Sequence, residues 1–126
     1  ARMCAQGGLA MSTDEIANTV RSTSTDTVGR SLNTVGQHHF IIDSASLHEE
    51  ISSGDAFLAG ISSCGVNVVE AAARETGVPL ARTEVTIDGI RKRQDPTLFD
   101  RIEIRFTLVG PSQSQADELV GIWQKR

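Results

Sequence analysis

Aromatic and basic side chains are scarce in this chain of 126 residues. It contains no tyrosine, and aromatic residues make up only 4% of it. Proteins that stack nucleic-acid bases need aromatic platforms, which this composition does not supply. The net charge of −4 and the pI of about 5.3 also lack the basic surplus that a phosphate backbone attracts. We therefore predict that nucleic acid is not a ligand.

Cysteines and long apolar runs are also few. Two cysteines, Cys4 and Cys64, are too few for the disulfide framework of a secreted domain, so we expect a reducing, cytoplasmic setting. The sequence has no uninterrupted run of 18 apolar residues and no basic start before an apolar stretch, so we expect neither a membrane span nor a secretory signal. Residues 1–15 show no periodicity. We interpret them as an N-terminal extension, either native or left by expression or processing, and residues 16–126 as a single domain.

The most apolar stretch of the chain predicts a long helix from Ser53 to Thr76. Between Ala56 and Ala73, 12 of 18 residues are apolar, and they recur at three- and four-residue steps. This apolar cover extends most of the way round, so we predict a helix buried on nearly all sides, with Cys64 in its middle. Suitable capping residues are present at both ends: Ser52 or Ser53, Asp55, Gly77 and Pro79.

The remaining segments alternate between apolar and polar residues, which is typical of half-buried strands. Predicted strands cover residues 17–25, 28–35, 37–43, 80–88 and 101–108. A solvated basic loop spans 89–97, and an amphipathic helix capped by Ser112 follows the last strand. The fold class is α+β, with an antiparallel sheet that has one wet face. One sheet cannot cover a helix that is apolar all round, so we predict a two-fold dimer that encloses the helices.

One continuous segment resembles a known family. The stretch GDAFLAGISSCGVNVVEAAARETGVPL is similar to the central segment of the OsmC-like family, which includes the organic hydroperoxide resistance proteins. The flanking HHFIID, LFDRIEIRFTLVG and ADELVGIW also fit, so the resemblance covers roughly residues 26–126. It implies an intertwined dimer with central helices between two sheets. For the best-known branches it also implies reduction of organic hydroperoxides by a cysteine pair, in which one thiolate is oxidised to a sulfenic acid and the other resolves it.

The resemblance also implies candidate catalytic residues. Cys64 stands at the position of the attacking cysteine. The peroxidase branches place a glutamate nine or ten residues earlier, where this chain has Asp55 or Gly54. The glutamate holds an arginine from the N-terminal strand region, for which Arg30 is the better candidate here and Arg21 the weaker. No cysteine follows Cys64, so the resolving thiol is absent, lies beyond the sequence given, or is replaced by an external thiol reductant.

Two functional hypotheses follow. In the first, the protein is a thiol peroxidase without a cofactor, and its apolar pocket lies at the dimer interface beside Phe57, Ile61 and Val68. In the second, it is a non-catalytic stress-response dimer that binds a small apolar ligand, and Cys64 only fills space, as buried free cysteines usually do. A metal site is not expected, because the adjacent His38 and His39 point to opposite faces of a strand.

Overall fold

A computed structural model describes residues 14–126 of the chain. Cys4 and most of the predicted N-terminal extension lie outside the described residues. The elements follow in the order β1 (Arg21–Ser24), β2 (Arg30–Val35), β3 (His38–Asp43), α1 (Ser53–Thr76), β4 (Arg82–Lys92), β5 (Asp95–Val109) and α2 (Gln113–Gln124).

Helix α1 has the bounds that its sequence predicts, and Ser52 is its N-cap. The Ser52 hydroxyl accepts a hydrogen bond from the Asp55 backbone at 3.2 Å, while the Asp55 carboxylate accepts one from the Ser52 backbone at 3.0 Å. This reciprocal pair is a capping box. At the other end Gly77 adopts a left-handed conformation with φ of 73°, and its N–H reaches the Ala73 carbonyl. These local signals therefore fix both ends of the helix.

The strands form two antiparallel sheets, ordered β1-β2-β3 and β4-β5, and not the one sheet that the pattern predicted. The alternation of apolar and polar residues along a strand shows which face each side chain occupies, but it does not show which strands pair with each other. The predicted loop at 89–97 is also wrong. Strand β4 extends to Lys92 and β5 begins at Asp95, so only two residues make the turn. The basic residues are tolerated there because this end of the hairpin is exposed, and Pro96 lies at the start of a strand, where its missing N–H is harmless.

The core lies between α1, the β4-β5 sheet and α2. It consists of Val69, Ala72, Ala73 and Leu119, with Phe106, Leu108, Ile122, Val78 and Leu80 packed around them. Gly65 allows α1 to approach the β4-β5 sheet closely, because a Cβ at that position would lie 3.2 Å from the Phe106 ring. One face of α1 is thus packed against the β4-β5 sheet and α2.

The opposite face of α1 is open in the single chain, so the chain by itself does not provide the predicted burial on nearly all sides. In α1, only Gly65, Val69, Ala72 and Ala73 are buried. Phe57 is 56% exposed, and the Cys64 thiol, predicted to be buried with its helix, is exposed as well. The physical reason is that a two-stranded sheet and one short helix can cover only one side of a long helix. The apolar side chains on the other side are not buried by residues 14–126.

Helix α1 also meets the length and composition criteria of a membrane span, with a mean hydropathy of 1.4 over its most apolar window. The sequence predicted no membrane span because α1 contains no uninterrupted apolar run: serine, asparagine and glutamate lie among its apolar residues. One such helix is weak grounds for a membrane protein, since core helices meet the same criteria. The high mean hydropathy of α1 does show that exposure of its open face to water is unfavourable.

Candidate functional site

An open groove surrounds Cys64, with a volume of about 760 Å³. One side is formed by α1 residues spaced three and four apart, which share a helix face. The other side comes from the end of α2 and the residues after it. The lining residues are Phe57, Gly60, Ile61, Val68, Trp123, Gln124 and Arg126. Phe57, Ile61 and Val68, beside which the sequence predicted a pocket at a dimer interface, line this groove in the single chain.

Trp123 forms the wall opposite α1, a role that the sequence did not predict. Its ring lies 5.2 Å from that of Phe106 at an angle of 59°. Phe106 is packed under Gly65 in the core, so the tryptophan wall is anchored to the same residues that hold α1. The sequence predicted only that this helix is amphipathic, and amphipathic spacing does not show that Trp123 borders a groove.

The thiol of Cys64 is free and faces mainly apolar side chains. Among residues 14–126, no hydrogen bond or ion pair engages it. The arrangement therefore offers an accessible sulfur in surroundings that favour an apolar molecule. Arg126 brings a cation to the lining of the same groove.

The Asp55 side chain forms hydrogen bonds with Ser52 at the start of α1. Its carboxylate accepts hydrogen bonds from the backbone N–H and, at 2.9 Å, from the hydroxyl of Ser52. These two bonds, the backbone one first, lower the pKa of Asp55 below its ordinary value. Nine residues separate Asp55 from Cys64, or about 14 Å along the helix axis at 1.5 Å per residue. Within one chain, Asp55 therefore does not contact the thiol.

The Arg30 side chain binds two carboxylates at the start of β2. Its Nε and Nη2 donate to the Asp43 carboxylate at 2.8 and 2.9 Å, and Nη2 also donates to Glu49 at 2.7 Å. Asp43 is buried and accepts two further bonds from the backbone N–H groups of Glu49 and Glu50. The Arg30 guanidinium is the main cause that lowers the pKa of Asp43 to about 2.

The three predicted catalytic residues are thus not brought together within one chain. Arg21, the weaker candidate, lies on β1 opposite Thr34, where its side chain is exposed. The roles of Asp55 and Arg30 towards Cys64 stay predictions. Among the described residues, no group of three or more histidine, cysteine or acidic side chains is arranged to hold a metal ion.

A different arginine lies near one end of the groove. The Arg91 guanidinium sits 4.6 Å above the Phe99 ring, and Phe99 in turn stacks on Phe57 with 6.4 Å between the ring centroids. A Cβ at Gly54 would lie 3.2 Å from Arg91 Nη2, which places the guanidinium beside the first turn of α1. The sequence predicted only a solvated loop here, because the contact depends on how the β4-β5 hairpin lies over the helix.

A family model described as OsmC-like protein matches residues 46–126. The chain belongs to the OsmC-like family. The match is narrower than the resemblance to residues 26–126, but it includes α1, Cys64 and all of the chain that follows. No curated protein sequence matches the chain significantly.

Solved structures confirm the OsmC-like fold. An OsmC-like protein from Mycoplasma pneumoniae is similar with a TM-score of 0.78 and 14% identity, over 90% of this chain and 84% of that one. An organic hydroperoxide resistance protein OsmC from Legionella pneumophila has a TM-score of 0.66 and 12% identity, over 90% and 85%. The organic hydroperoxide resistance protein OhrB of Bacillus subtilis has a TM-score of 0.54 and 18% identity, over 87% and 84%. At these identities the similarity establishes the fold, not the activity.

Proposed function

We propose that this OsmC-like protein reduces organic hydroperoxides through Cys64. The observation that carries the proposal is an accessible thiol in a groove lined largely by apolar side chains. The alkyl or aryl part of a hydroperoxide would be held in the groove by burial of its apolar surface, which places its O–O bond near the sulfur. Structural relatives named as organic hydroperoxide resistance proteins support this substrate class.

The reaction oxidises sulfur and reduces the peroxide. The Cys64 thiolate attacks the terminal peroxide oxygen, the O–O bond breaks, and the alkoxide leaves and takes up a proton to become an alcohol. Cys64 is then a sulfenic acid. An external thiol condenses with it, releasing water and forming a mixed disulfide, and a second thiol releases Cys64 and leaves as part of a disulfide. The oxidant is the hydroperoxide, and the reductant is a low-molecular-weight or protein thiol of a reducing compartment such as the cytoplasm.

A second copy of the chain completes the site in this proposal. The open face of α1 exposes large apolar side chains, and the 15-residue strand β5 pairs on one side only within the described part of the chain. Unpaired strand edges and exposed apolar faces are both surfaces that association covers. A two-fold partner over this face would close the groove into a cavity with less water. In this proposal, Arg30 and Asp55 act on the Cys64 thiol of the partner copy.

The test is oxidation of Cys64 followed by mass spectrometry. A Cys4→Ser background leaves Cys64 as the one remaining cysteine. The reduced protein is exposed to cumene hydroperoxide or to hydrogen peroxide, and the sulfenic acid is trapped with dimedone. We expect faster labelling with the organic peroxide and none in a Cys64→Ser variant. Equal rates with the two peroxides, or no labelling, would argue against the proposal.

One observation favours the non-catalytic alternative, a dimer that binds a small apolar ligand. Within residues 14–126, the Cys64 thiol has no cation or hydrogen-bond donor in contact to stabilise a thiolate. If the alternative holds, Cys64→Ala retains ligand binding, as detected by the fluorescence of Trp123, and the wild-type thiol is not oxidised preferentially by organic peroxides. Trp123 is the only tryptophan of the chain, so the signal reports on the groove.

A further inference from the structure

We infer that Arg91 selects the ligand of the groove by binding an anionic group at one end of an elongated, otherwise apolar molecule. This inference rests on the proposed function for the presence of an apolar ligand in the groove. It adds the charge and the approximate length of that ligand, and it assigns a residue that recognises the charged end.

The first argument is that Arg91 has no acidic partner. Within residues 14–126, four other arginines form ion pairs with carboxylates: Arg30, Arg82, Arg101 and Arg105. Arg91 forms none, and neither does Arg93 in the hairpin turn, whereas Lys92 between them pairs with Asp100 at 3.2 Å. No carboxylate among these residues neutralises the Arg91 guanidinium, so its charge is available to an anion.

The second argument is that the Arg91 guanidinium is held in place. Its Nη1 donates to the Pro96 carbonyl at 2.6 Å, and its Cζ lies over the Phe99 ring, 4.6 Å from the centroid. Stacking on an aromatic face and a hydrogen bond to a carbonyl restrict a side chain that is otherwise flexible. A positioned guanidinium loses less conformational entropy when it binds a carboxylate than a free surface arginine does.

The third argument is that Arg91 is connected to the groove. It stacks on Phe99, Phe99 stacks on Phe57, and Phe57 lines the groove that contains Cys64. Arg91 lies beside Gly54, ten residues before Cys64, or about 15 Å along α1. A ligand with its anionic group at Arg91 and its body along Phe57 and Ile61 would thus bring an atom about 15 Å from that group to the thiol.

The test uses binding and does not depend on catalysis. Decanoate and 1-decanol share an apolar chain that, when extended, reaches from Arg91 to about Ile61, seven residues after Gly54 along α1. They differ in the charge of the head group, and their binding is followed through Trp123 fluorescence. We expect the wild-type protein to bind decanoate more tightly than decanol. Arg91→Gln is expected to weaken decanoate binding by about tenfold, as loss of a charge-assisted hydrogen bond does, and to leave decanol binding unchanged. Added salt is expected to reduce the preference.

Arg93→Gln is the matched control, because it removes the same charge two residues away in the hairpin turn. Arg91→Lys keeps the charge but not the planar stacking, and is expected to retain part of the preference. Equal binding of decanoate and decanol by the wild type, no binding of either, or equal losses in Arg91→Gln and Arg93→Gln would overturn the inference. Thermal melting of each variant verifies that it is folded. Failure of Cys64 oxidation by peroxides would refute the proposed activity without altering these binding results.

Discussion

Arg30 binds Asp43 through two parallel hydrogen bonds, of 2.8 and 2.9 Å, from Nε and Nη2 to the two carboxylate oxygens. The same carboxylate accepts the N–H groups of Glu49 and Glu50, and the Asp43 backbone N–H donates to the Ile51 carbonyl. Asp43 thereby fixes the loop that leads from β3 to the start of α1. Arg30, which the family resemblance assigned to the thiol, holds this loop in the single chain.

Replacing Asp43 with asparagine is expected to lower stability at neutral pH and to remove part of its acid dependence. The Asp43 pKa is lowered to about 2 in the folded state, from an ordinary value of 3.8. The stabilisation that the ionised Asp43 carboxylate gives to the folded state is therefore complete above about pH 4, and it is lost as the pH falls towards 2. Melting temperatures between pH 2 and pH 7 should show a shallower acid decline for Asp43→Asn than for the wild type.

Asp88→Asn is the control for that comparison, because Asp88 forms an exposed pair with Arg105 at 3.0 Å. Exposed ion pairs contribute little to stability. If Asp43→Asn and Asp88→Asn have the same melting temperature and acid dependence as the wild type, the Arg30–Asp43 pair does not hold the loop in solution.

Ser52→Ala is expected to destabilise the protein by about 1 kcal/mol, because it removes the side-chain half of the capping box. Ser53→Ala should change the free energy of unfolding by less than about 0.5 kcal/mol, since Ser53 is the first helical residue and does not cap α1. Urea denaturation of the two variants shows which of the two serines is the N-cap of α1, a choice that the sequence alone did not make. Equal losses, or a larger loss for Ser53→Ala, would contradict the cap seen here.

Gly89→Ala is expected to displace the Phe99 ring, because a Cβ at this position would collide with it. The free energy of unfolding should fall by about 1–3 kcal/mol, as it does at other overpacked sites. Decanoate binding should weaken as well, since Phe99 supports both Arg91 and Phe57. Gly121→Ala is the comparison, because a Cβ at 121 meets nothing within 4 Å, and alanine should be neutral or stabilising by up to about 1 kcal/mol in a helix. Unfolding curves that rank the two variants the other way would refute the close packing at Gly89.

Local signals were sufficient to predict α1, its C-cap Gly77 and the N-cap of α2, Ser112, and they reduced the choice for the N-cap of α1 to Ser52 or Ser53. Ser52, Asp55 and Gly77 act on backbone groups within a few residues of themselves, so their effect can be deduced from their spacing alone. The α+β class also followed from periodicity, because each strand and helix carries its own pattern. The order of elements then matched the OsmC-like fold.

Features that depend on distant contacts could not be predicted in this way. The basic residues near Arg91 suggested a loop, whereas strand pairing extends the hairpin through them. The pattern of α1 showed that it is apolar all round, but not which side the β4-β5 sheet would cover. The groove at Cys64 needs Trp123 from a helix more than 40 residues away, and no spacing within α1 indicates that partner.

The open face of α1, which we propose is covered by a second copy of the chain, is the basis of the proposed site. Sedimentation equilibrium of the wild type and of Phe57→Glu tests this directly. Phe57 is 56% exposed in the single chain, so the change should leave that chain folded while placing a charge in the interface. Ser63→Asp, at another exposed position of α1, controls for the added charge. We predict twice the chain mass of 13.5 kDa for the wild type and the mass of one chain for Phe57→Glu. A wild type that sediments as a single chain, with this face in water, would contradict the account.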